Sequence, residues 1–312
     1  MELLLTGYPG FLASTIKTWF EDRGWQVDTL GLLAFPEGEK RTGKHLECNL
    51  VSNIPDLPDK RYDLVIHAAG KAHVVPRTDA EKKSFYDVNV NGTEHLLKAL
   101  EKNPPKAIVF ISSVAVYGVE KGELIKEDAP LSAKTPYGES KIMAENLIRD
   151  AEFSQPVIRG IVRLPLIAGK NAPGNLGSMI TAIRKGYYFN VAGGKAARSV
   201  VLKDDIAPFL KLLGEHGGTY NFTDCHGLTY AALYKEIRKH VSCPRRPNLP
   251  YWIAWCLALA GECLRFVIRR PVPFDFYRLE KLTTSLTFDS SRAEKEIPFV
   301  PRPVLENIKE IL

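Results

Sequence analysis

Through the first half of this chain, short apolar runs alternate with longer stretches in which apolar positions recur every three or four residues. The runs Glu2–Leu5, Gln26–Leu30, Leu64–His67 and Ala107–Ile111 carry few polar side chains, as strands buried on both faces do. Between them, Phe11–Arg23, Ala80–Glu101 and Pro136–Phe153 have the helical period. Strand alternating with helix predicts an α/β fold, a doubly wound parallel sheet covered on both faces, and Val157–Leu164 and Thr219–Phe222 extend it.

From Leu166 onward the pattern loosens. Gly- and Pro-rich loops at Ala172–Gly174, Gly193-Gly194 and Pro271–Pro273 separate short helices. The expected organisation is a core domain over residues 1–165, with 196–225 returning to it, and a smaller C-terminal lobe from 166–195 and 226–312. Within that lobe, Tyr251–Ile268 is mostly apolar, with Trp252 and Trp255 at one end and Arg265, Arg269 and Arg270 at the other. It has the length of a membrane span, but Glu262 and Arg265 interrupt it at a cost in a bilayer. An integral membrane protein is therefore not expected. The segment is expected to be a buried or groove-lining helix, the alternative being a helix lying on a membrane surface.

Composition changes this picture little. The 312 residues, 45% hydrophobic and 25% charged, suffice for a full core without disulfides or metals. The formal charge is +6, but the densest basic groups, Arg245-Arg246 and Arg269-Arg270, are short. No basic helix interleaved with aromatics appears, so nucleic acid is not the expected partner. Cys48, Cys225, Cys243, Cys256 and Cys263 are scattered without a CxxC pair, as reduced thiols are. With no secretory pattern ahead of the first strand, a cytoplasmic location is expected. His67 and His73 have no further ligands at metal-binding spacing and are expected to be structural or to line a pocket; no metal is expected.

Chemistry first appears in Thr6-Gly7-Tyr8-Pro9-Gly10-Phe11-Leu12-Ala13, between the first strand and the first helix. Gly7 permits a tight turn, Gly10 lets a pyrophosphate approach the backbone, and Ala13 lets helix and strand pack closely. The helix N-terminus then faces the anion. An acidic residue at the end of the second strand usually holds the adenosine ribose; here that place is taken by Gly31, while Asp28 lies earlier in the strand. A missing carboxylate removes a repulsion against a 2′-phosphate. NADP(H) is thereby slightly favoured over NAD, with Lys40, Arg41 or Lys44 near enough to meet the phosphate.

Tyr137 and Lys141 form a YxxxK pair on one face of a predicted helix. An ammonium there would lower the tyrosine pKa toward working pH, so that the phenol can exchange a proton with a sugar oxygen. Ser113, at the end of an apolar strand in Ser112-Ser113-Val114-Ala115-Val116-Tyr117-Gly118, can bond the same oxygen.

Seven motifs stand in order along nearly the whole chain: TGYPGFL at Thr6–Leu12, HAAG at His67–Gly70, DVNVNGT at Asp87–Thr93, SSVAVYG at Ser112–Gly118, TPYGESK at Thr135–Lys141, RLPLIAG at Arg163–Gly169 and RSVVLKDDIA at Arg198–Ala207. On these the sequence resembles the extended short-chain dehydrogenase/reductases of the NAD-dependent epimerase/dehydratase family. The resemblance implies a Rossmann-type sheet with a smaller substrate-binding lobe. It implies cofactor contacts at Gly7, Gly10, Phe11, Leu12, Gly31, Asn49, Leu50, Ala68, Ala69, Gly70, Asn89, Tyr137, Lys141 and Pro165. Phe11 and Leu12 would lie on the pyrophosphate, Asn49 and Leu50 would border the adenine, and Pro165 would abut the nicotinamide. Asn175, Leu176, Arg198 and Lys281 would hold a nucleotide diphosphate, and Ser113, Tyr137 and Lys141 would be catalytic. Relatives pair the helices corresponding to Ala80–Glu101 and Pro136–Phe153 across a two-fold axis. A homodimer is thus expected, with Phe85, Leu96, Leu97, Leu100, Ile142, Leu147 and Ile148 as its apolar residues.

Departures narrow the reaction. Val114-Ala115 stands where dehydratases carry Asp-Glu, and no base for C3/C5 epimerisation is present. Redox at C4 of a nucleotide sugar, expected to be UDP-linked, remains. His67–Val75 and Leu282–Arg292 look most like bacterial reductases of UDP-4-keto-6-deoxy-N-acetylhexosamines, enzymes of surface-polysaccharide precursor synthesis. UDP-hexose 4-epimerases are the alternative, and a catalytically inactive cofactor-binding sensor is a second.

Overall fold

The computed structural model describes residues 1–72, 74–173, 175–242, 244, 246–268, 272 and 274–312, with Asn175 described by its backbone only. His73, Gly174, Cys243, Arg245, Arg269, Arg270, Pro271 and Pro273 lie outside the described residues. The chain runs β1 (Glu2–Thr6), α1 (Phe11–Glu21), β2 (Gln26–Gly31), β3 (His45–Glu47), β4 (Leu64–His67), α2 (Asp79–Tyr86), a π-helical turn (Asp87–Asn91), α3 (Gly92–Leu100), β5 (Ala107–Ser113), β6 (Gly122–Ile125), α4 (Pro136–Asp150), β7 (Ile158–Leu164) and β8 (Leu166–Ala168). It continues through α5 (Asn175–Arg184), β9 (Ala197–Arg198), β10 (Val200–Leu202), α6 (Lys203–His216), β11 (Gly218–Asn221), β12 (Leu228–Thr229), α7 (Tyr230–His240), α8 (Tyr251–Ile268), α9 (Phe276–Thr283), β13 (Leu286–Phe288), α10 (Ser291–Glu296) and α11 (Ile308–Ile311).

Seven strands form one parallel sheet in the order β11-β7-β5-β4-β1-β2-β3. Alternate residues of each strand face opposite sides. Leu3, Leu5, Ile66 and Val109 meet Ile16, Phe20, Phe209 and Leu213 of α1 and α6. Leu4, Val65, Ile108 and Phe110 meet Leu96, Leu100, Ala144 and Ile148 of α3 and α4. This is the Rossmann-type doubly wound arrangement the alternation predicts. Because β1 lies between β2 and β4, the winding reverses there, and the crevice beyond the carboxyl ends of β1 and β4 is where such sheets bind ligands. Beside it, buried His67 bonds Thr6 Oγ1 at 2.7 Å through Nδ1 and Thr93 Oγ1 at 2.9 Å through Nε2. Burial, reinforced by the Lys141 charge, pushes its pKa down to about 3, so the ring is a neutral structural tie.

The helix expected over Ala80–Glu101 is broken by the π-helical turn, in which Asn89 is drawn inward and its carbonyl accepts Thr93 Oγ1 at 2.7 Å. Phe85, Leu96, Leu100 and Ile148 are buried within the single chain, while Leu97, Ile142 and Leu147 are half-buried and Met143 is exposed.

The remaining strands form a β8–β10 pair and a four-stranded sheet, β12-β9-β13-β6, to which β6 is contributed from the first half of the chain. A separate cluster around Ala168, Leu176, Met179, Ile183, Val200, Leu233, Ile237 and Val304 gives this region its own core.

One expectation is overturned. Helix α8 is not buried: Ala254 and Ala258 alone are buried along it, whereas Trp252 is 68% exposed, Leu257 50%, Phe266 86% and Val267 75%. Its inner stripe carries small residues, and a Cβ on Gly261 would lie 1.9 Å from Phe274 O. A helix apolar all round does not reveal in its sequence which face meets the protein.

Candidate active site

The crevice floor is the β1–α1 loop. Gly7 has φ +85°, and a Cβ there would lie 2.7 Å from Ala69 N; one on Gly10 would lie 2.7 Å from Gly7 O. Both glycines are therefore required by close backbone approach. Helix α1 begins at Phe11 with no side-chain cap and no acidic residue in its first turn, leaving its N-terminal dipole for an anion. Thr6 Oγ1 accepts Ala69 N at 3.0 Å, which fixes Ala68, Ala69 and Gly70 against the same loop. A Cβ on Gly70 would lie 3.1 Å from both Lys141 Nζ and Asn89 Oδ1. The floor thus runs without side-chain obstruction from α1 to Lys141, which fits a dinucleotide diphosphate with its redox end at α4.

At the end of β2 the structure corrects the account of Gly31. A Cβ on Gly31 would lie 1.8 Å from Tyr8 O, so any side chain is excluded there, the family's carboxylate included. Buried Tyr8 stacks on Phe35 at 5.2 Å and stands edge-on to His45 at 6.0 Å. Of the cations expected nearby, Lys40, Arg41 and Lys44 are exposed; Arg41 lies 5.7 Å from the Phe35 ring. Asp28 is structural, accepting Lys44 N at 2.7 Å and Tyr62 Oη at 2.8 Å and pairing with Lys60 at 2.8 Å. Asn49 Oδ1 accepts Val51 N at 3.0 Å, and buried Leu50 is anchored through its carbonyl to His95 at 2.7 Å.

The proposed chemistry gathers where β5 meets α4. Ser113 ends β5 and starts a tight turn, its Oγ accepting Ala115 N at 3.2 Å. Thr135 caps α4 by accepting Gly138 N at 3.2 Å, with Pro136 in the first helical position. A Cβ on Gly138 would lie 2.5 Å from Ala133 Cβ and 2.8 Å from Ala115 O. The first turn of α4 therefore presses onto the Ser113 turn, which brings the Ser113 hydroxyl close enough to the Tyr137 phenol to favour its ionised form. Burial holds the Tyr137 phenol above its ordinary pKa, and Ser113 pulls the other way. The lowering expected from the Tyr–Lys spacing is thus not the net direction. Lys141 donates to Ile111 O at 2.9 Å and lies 4.5 Å from the Phe110 ring. Burial brings its ammonium down to about 8, against the attraction of Glu145.

Asn89 joins the two halves. Its Oδ1 accepts Lys71 N at 2.7 Å, while Nδ2 donates to Ser140 Oγ at 2.8 Å and Lys71 O at 3.2 Å. The β4 loop is thereby tied to the helix bearing Tyr137 and Lys141.

Sequence reasoning missed the pair beneath Lys141. Glu145 takes Arg163 Nε at 3.0 Å and Nη2 at 2.9 Å, and also Ser112 Oγ at 2.6 Å. Arg163 Nη1 donates to Tyr117 Oη and Glu127 O, each at 2.9 Å. Burial pushes the Glu145 carboxyl up, but the guanidinium prevails and holds it below the ordinary carboxylate range. The signals were a glutamate one helical turn beyond Lys141 and an arginine opening the RLPLIAG motif.

Arg198 and Lys281 meet at one corner of the smaller lobe. The guanidinium donates to Ala197 O at 3.2 Å, Thr284 O at 2.6 Å and Lys281 O, while Lys281 Nζ lies 4.2 Å from the Tyr277 ring and 3.7 Å from Glu120. Asn175 opens α5, half-buried Pro165 joins β7 to β8, and Leu176 is buried in the lobe's core. Among the described residues no group of three or more potential metal ligands occurs.

A pH dependence follows from Lys141. If its ammonium supports Tyr137, kcat/KM should fall as pH rises through about 8, where Lys141 loses its proton. Lys141→Arg should move that limb upward. A pH–rate profile flat from 7 to 9.5 would count against the role.

The model of the NAD dependent epimerase/dehydratase family matches residues 3–222. An N-acetyl-alpha-D-glucosaminyl-diphospho-ditrans,octacis-undecaprenol 4-epimerase of Escherichia coli O157:H7 is 30% identical, over 67% of this chain and 65% of its own length. The UDP-glucose 4-epimerase of Bacillus subtilis is 34% identical, over 48% of each chain. The chain thus spans between about half and two thirds of the length of these curated relatives. Among solved structures, MoeE5 in complex with UDP-glucose and NAD has a TM-score of 0.75 at 17% identity, covering 100% of this chain and 97% of its own. WbmG of Bordetella bronchiseptica in complex with NAD has a TM-score of 0.72 at 17% identity, covering 100% and 92%; at these identities the likeness shows the fold.

Proposed function

Since the chain belongs to the NAD dependent epimerase/dehydratase family, we propose that it is an oxidoreductase using NAD or NADP and acting at C4 of a nucleotide sugar. The first substrate we assign is a UDP-4-keto-6-deoxy-N-acetylhexosamine, which it reduces. When bound, the nicotinamide accepts or donates the hydride. Tyr137, with the Ser113 hydroxyl beside it, exchanges the proton at the sugar oxygen, and Lys141 lies in reach of the groove from its seat on Ile111 O. Arg198 and Lys281 are the proposed diphosphate contacts, with Asn175 and Leu176 bordering them.

The observation that carries net reduction is Gly31. The backbone of Tyr8 excludes a ribose-binding carboxylate, so a weaker adenosine grip suits a cofactor exchanged at each turnover. The exposed Lys40, Arg41 and Lys44 favour NADPH. A second reading, 4-epimerisation with retained cofactor, is favoured by the 4-epimerase activities of the relatives. An inactive sensor is disfavoured by the complete Ser113–Tyr137–Lys141 set.

The test supplies purified protein with the 4-keto sugar and NADPH or NADH, and separately with UDP-hexoses. One reduced cofactor consumed per product, faster with NADPH, supports reduction. Interconversion of C4 epimers without net cofactor use would replace it with the second reading. A cytoplasmic homodimer is part of the proposal, its contact formed by Leu97, Ile142, Met143 and Leu147 of α3 and α4.

A further inference from the structure

Helix α8 has an inverted distribution of side chains. Its stripe against the lobe carries Ala254, Ala258 and Gly261, packed on Leu279 and Phe276 of α9 and on Val191 and Leu249. Its outer face carries Trp252, Trp255, Leu257, Leu259, Leu264 and Phe266, all at least 42% exposed. At 1.5 Å per residue this face is about 27 Å long, and contiguous apolar surface on that scale marks an interaction site.

We propose that α8 is an in-plane anchor that docks the protein on an anionic lipid bilayer. The helix lies along the lobe and does not cross the membrane: the close approach of Gly261 to Phe274 O, with Ala254 and Ala258 buried on the same stripe, holds it to the fold along much of its length. The occupant is a bilayer because, among the described residues, large apolar side chains line the outer face along the whole length of the helix. Aromatic residues gather at one end, where Tyr251 (52% exposed), Trp252 and Trp255 can sit at headgroup level. Charge is complementary. It rests on the chain as a whole, which carries +6. Around the helix the charges balance: Arg265, on the stripe of Ala254, Ala258 and Gly261, pairs with Glu262 at 2.6 Å and lies 4.0 Å from Asp275, and exposed Arg278 stands near exposed Glu280 on α9.

The docked face lies one helix from the corner proposed for the diphosphate, since Arg198 donates to carbonyls at the carboxyl end of α9. Docking does not depend on which C4 reaction is catalysed.

The test is flotation of the full chain with vesicles of phosphatidylcholine containing 30% phosphatidylglycerol, and with phosphatidylcholine alone. The protein should float with the anionic vesicles and less with the neutral ones. The exposed-face variant Trp252→Glu/Leu259→Glu/Phe266→Glu should lose at least tenfold of that binding while keeping its far-UV circular dichroism and its turnover of water-soluble nucleotide sugar. Wild-type protein that stays in the buffer overturns the proposal, as does a variant that floats undiminished. A wild-type dimer that the same substitutions split into monomers, without vesicle binding, assigns the face to a second copy instead.

Discussion

Tyr137→Phe is expected to lower kcat by about 10²- to 10⁴-fold, the usual contribution of a positioned proton donor, while cofactor affinity changes little. The asymmetry follows from placement. The removed hydroxyl faces Ser113, whereas the diphosphate cradle is built from Gly7, Gly10 and the start of α1, at the other end of the groove. Substrate turnover and dinucleotide titration, measured on one preparation, check both halves. Turnover within a few fold of wild type would remove Tyr137 from the chemistry. A parallel loss of dinucleotide affinity would instead mean that the substitution disturbs the contact between α4 and the Ser113 turn.

The second large effect concerns the fold beneath the site. Arg163→Met should destabilise the protein by about 3 kcal/mol, the lower end for breaking a buried ion pair, because it leaves the buried Glu145 carboxylate with only Ser112 Oγ and the exposed Arg149 as partners. Glu145 and Arg163 are 0% and 2% exposed, so solvent screening offers little relief. The double variant Glu145→Leu/Arg163→Met removes both charges and should cost less than the single one. Urea denaturation of the wild type, the two single variants and the double variant tests this; additivity of the two substitutions would mean that the pair is not coupled. The reduction pH profile of the folded Glu145→Gln variant separates positioning from structure. Removing the carboxylate removes an attraction that holds the Lys141 ammonium up, so the limb near 8 should move to lower pH.

Much of this was legible in the residues. Continuous apolar strands and the glycine turn after β1 specify the sheet and the crevice, since parallel strands covered on both faces leave few alternatives. Ser113, Tyr137 and Lys141 could be paired from their spacing because strand end and helix start are rigid elements. The direction of the Tyr137 shift was not legible, because it depends on burial supplied by residues distant in sequence. Gly31 was noticed but its cause was hidden: the Tyr8 carbonyl that excludes a side chain there belongs to another loop. The Glu145–Arg163 pair escaped for the same reason, being joined only when α4 packs against β7. Strands such as β9 and β12, two residues each, are too short to have a period. The exposed face of α8 was invisible because its inner and outer stripes are both apolar.

The central claim, redox at C4 of a nucleotide sugar, is tested most directly by following the label from a reduced nicotinamide deuterated at its transferring position. Incubated with a UDP-4-keto-6-deoxy-N-acetylhexosamine, the protein should yield a product one mass unit heavier than that from unlabelled cofactor, with the deuterium placed at C4 by proton NMR. A reduced product whose deuterium lies at another carbon, or the absence of any product from this substrate and from UDP-hexoses alike, would contradict it.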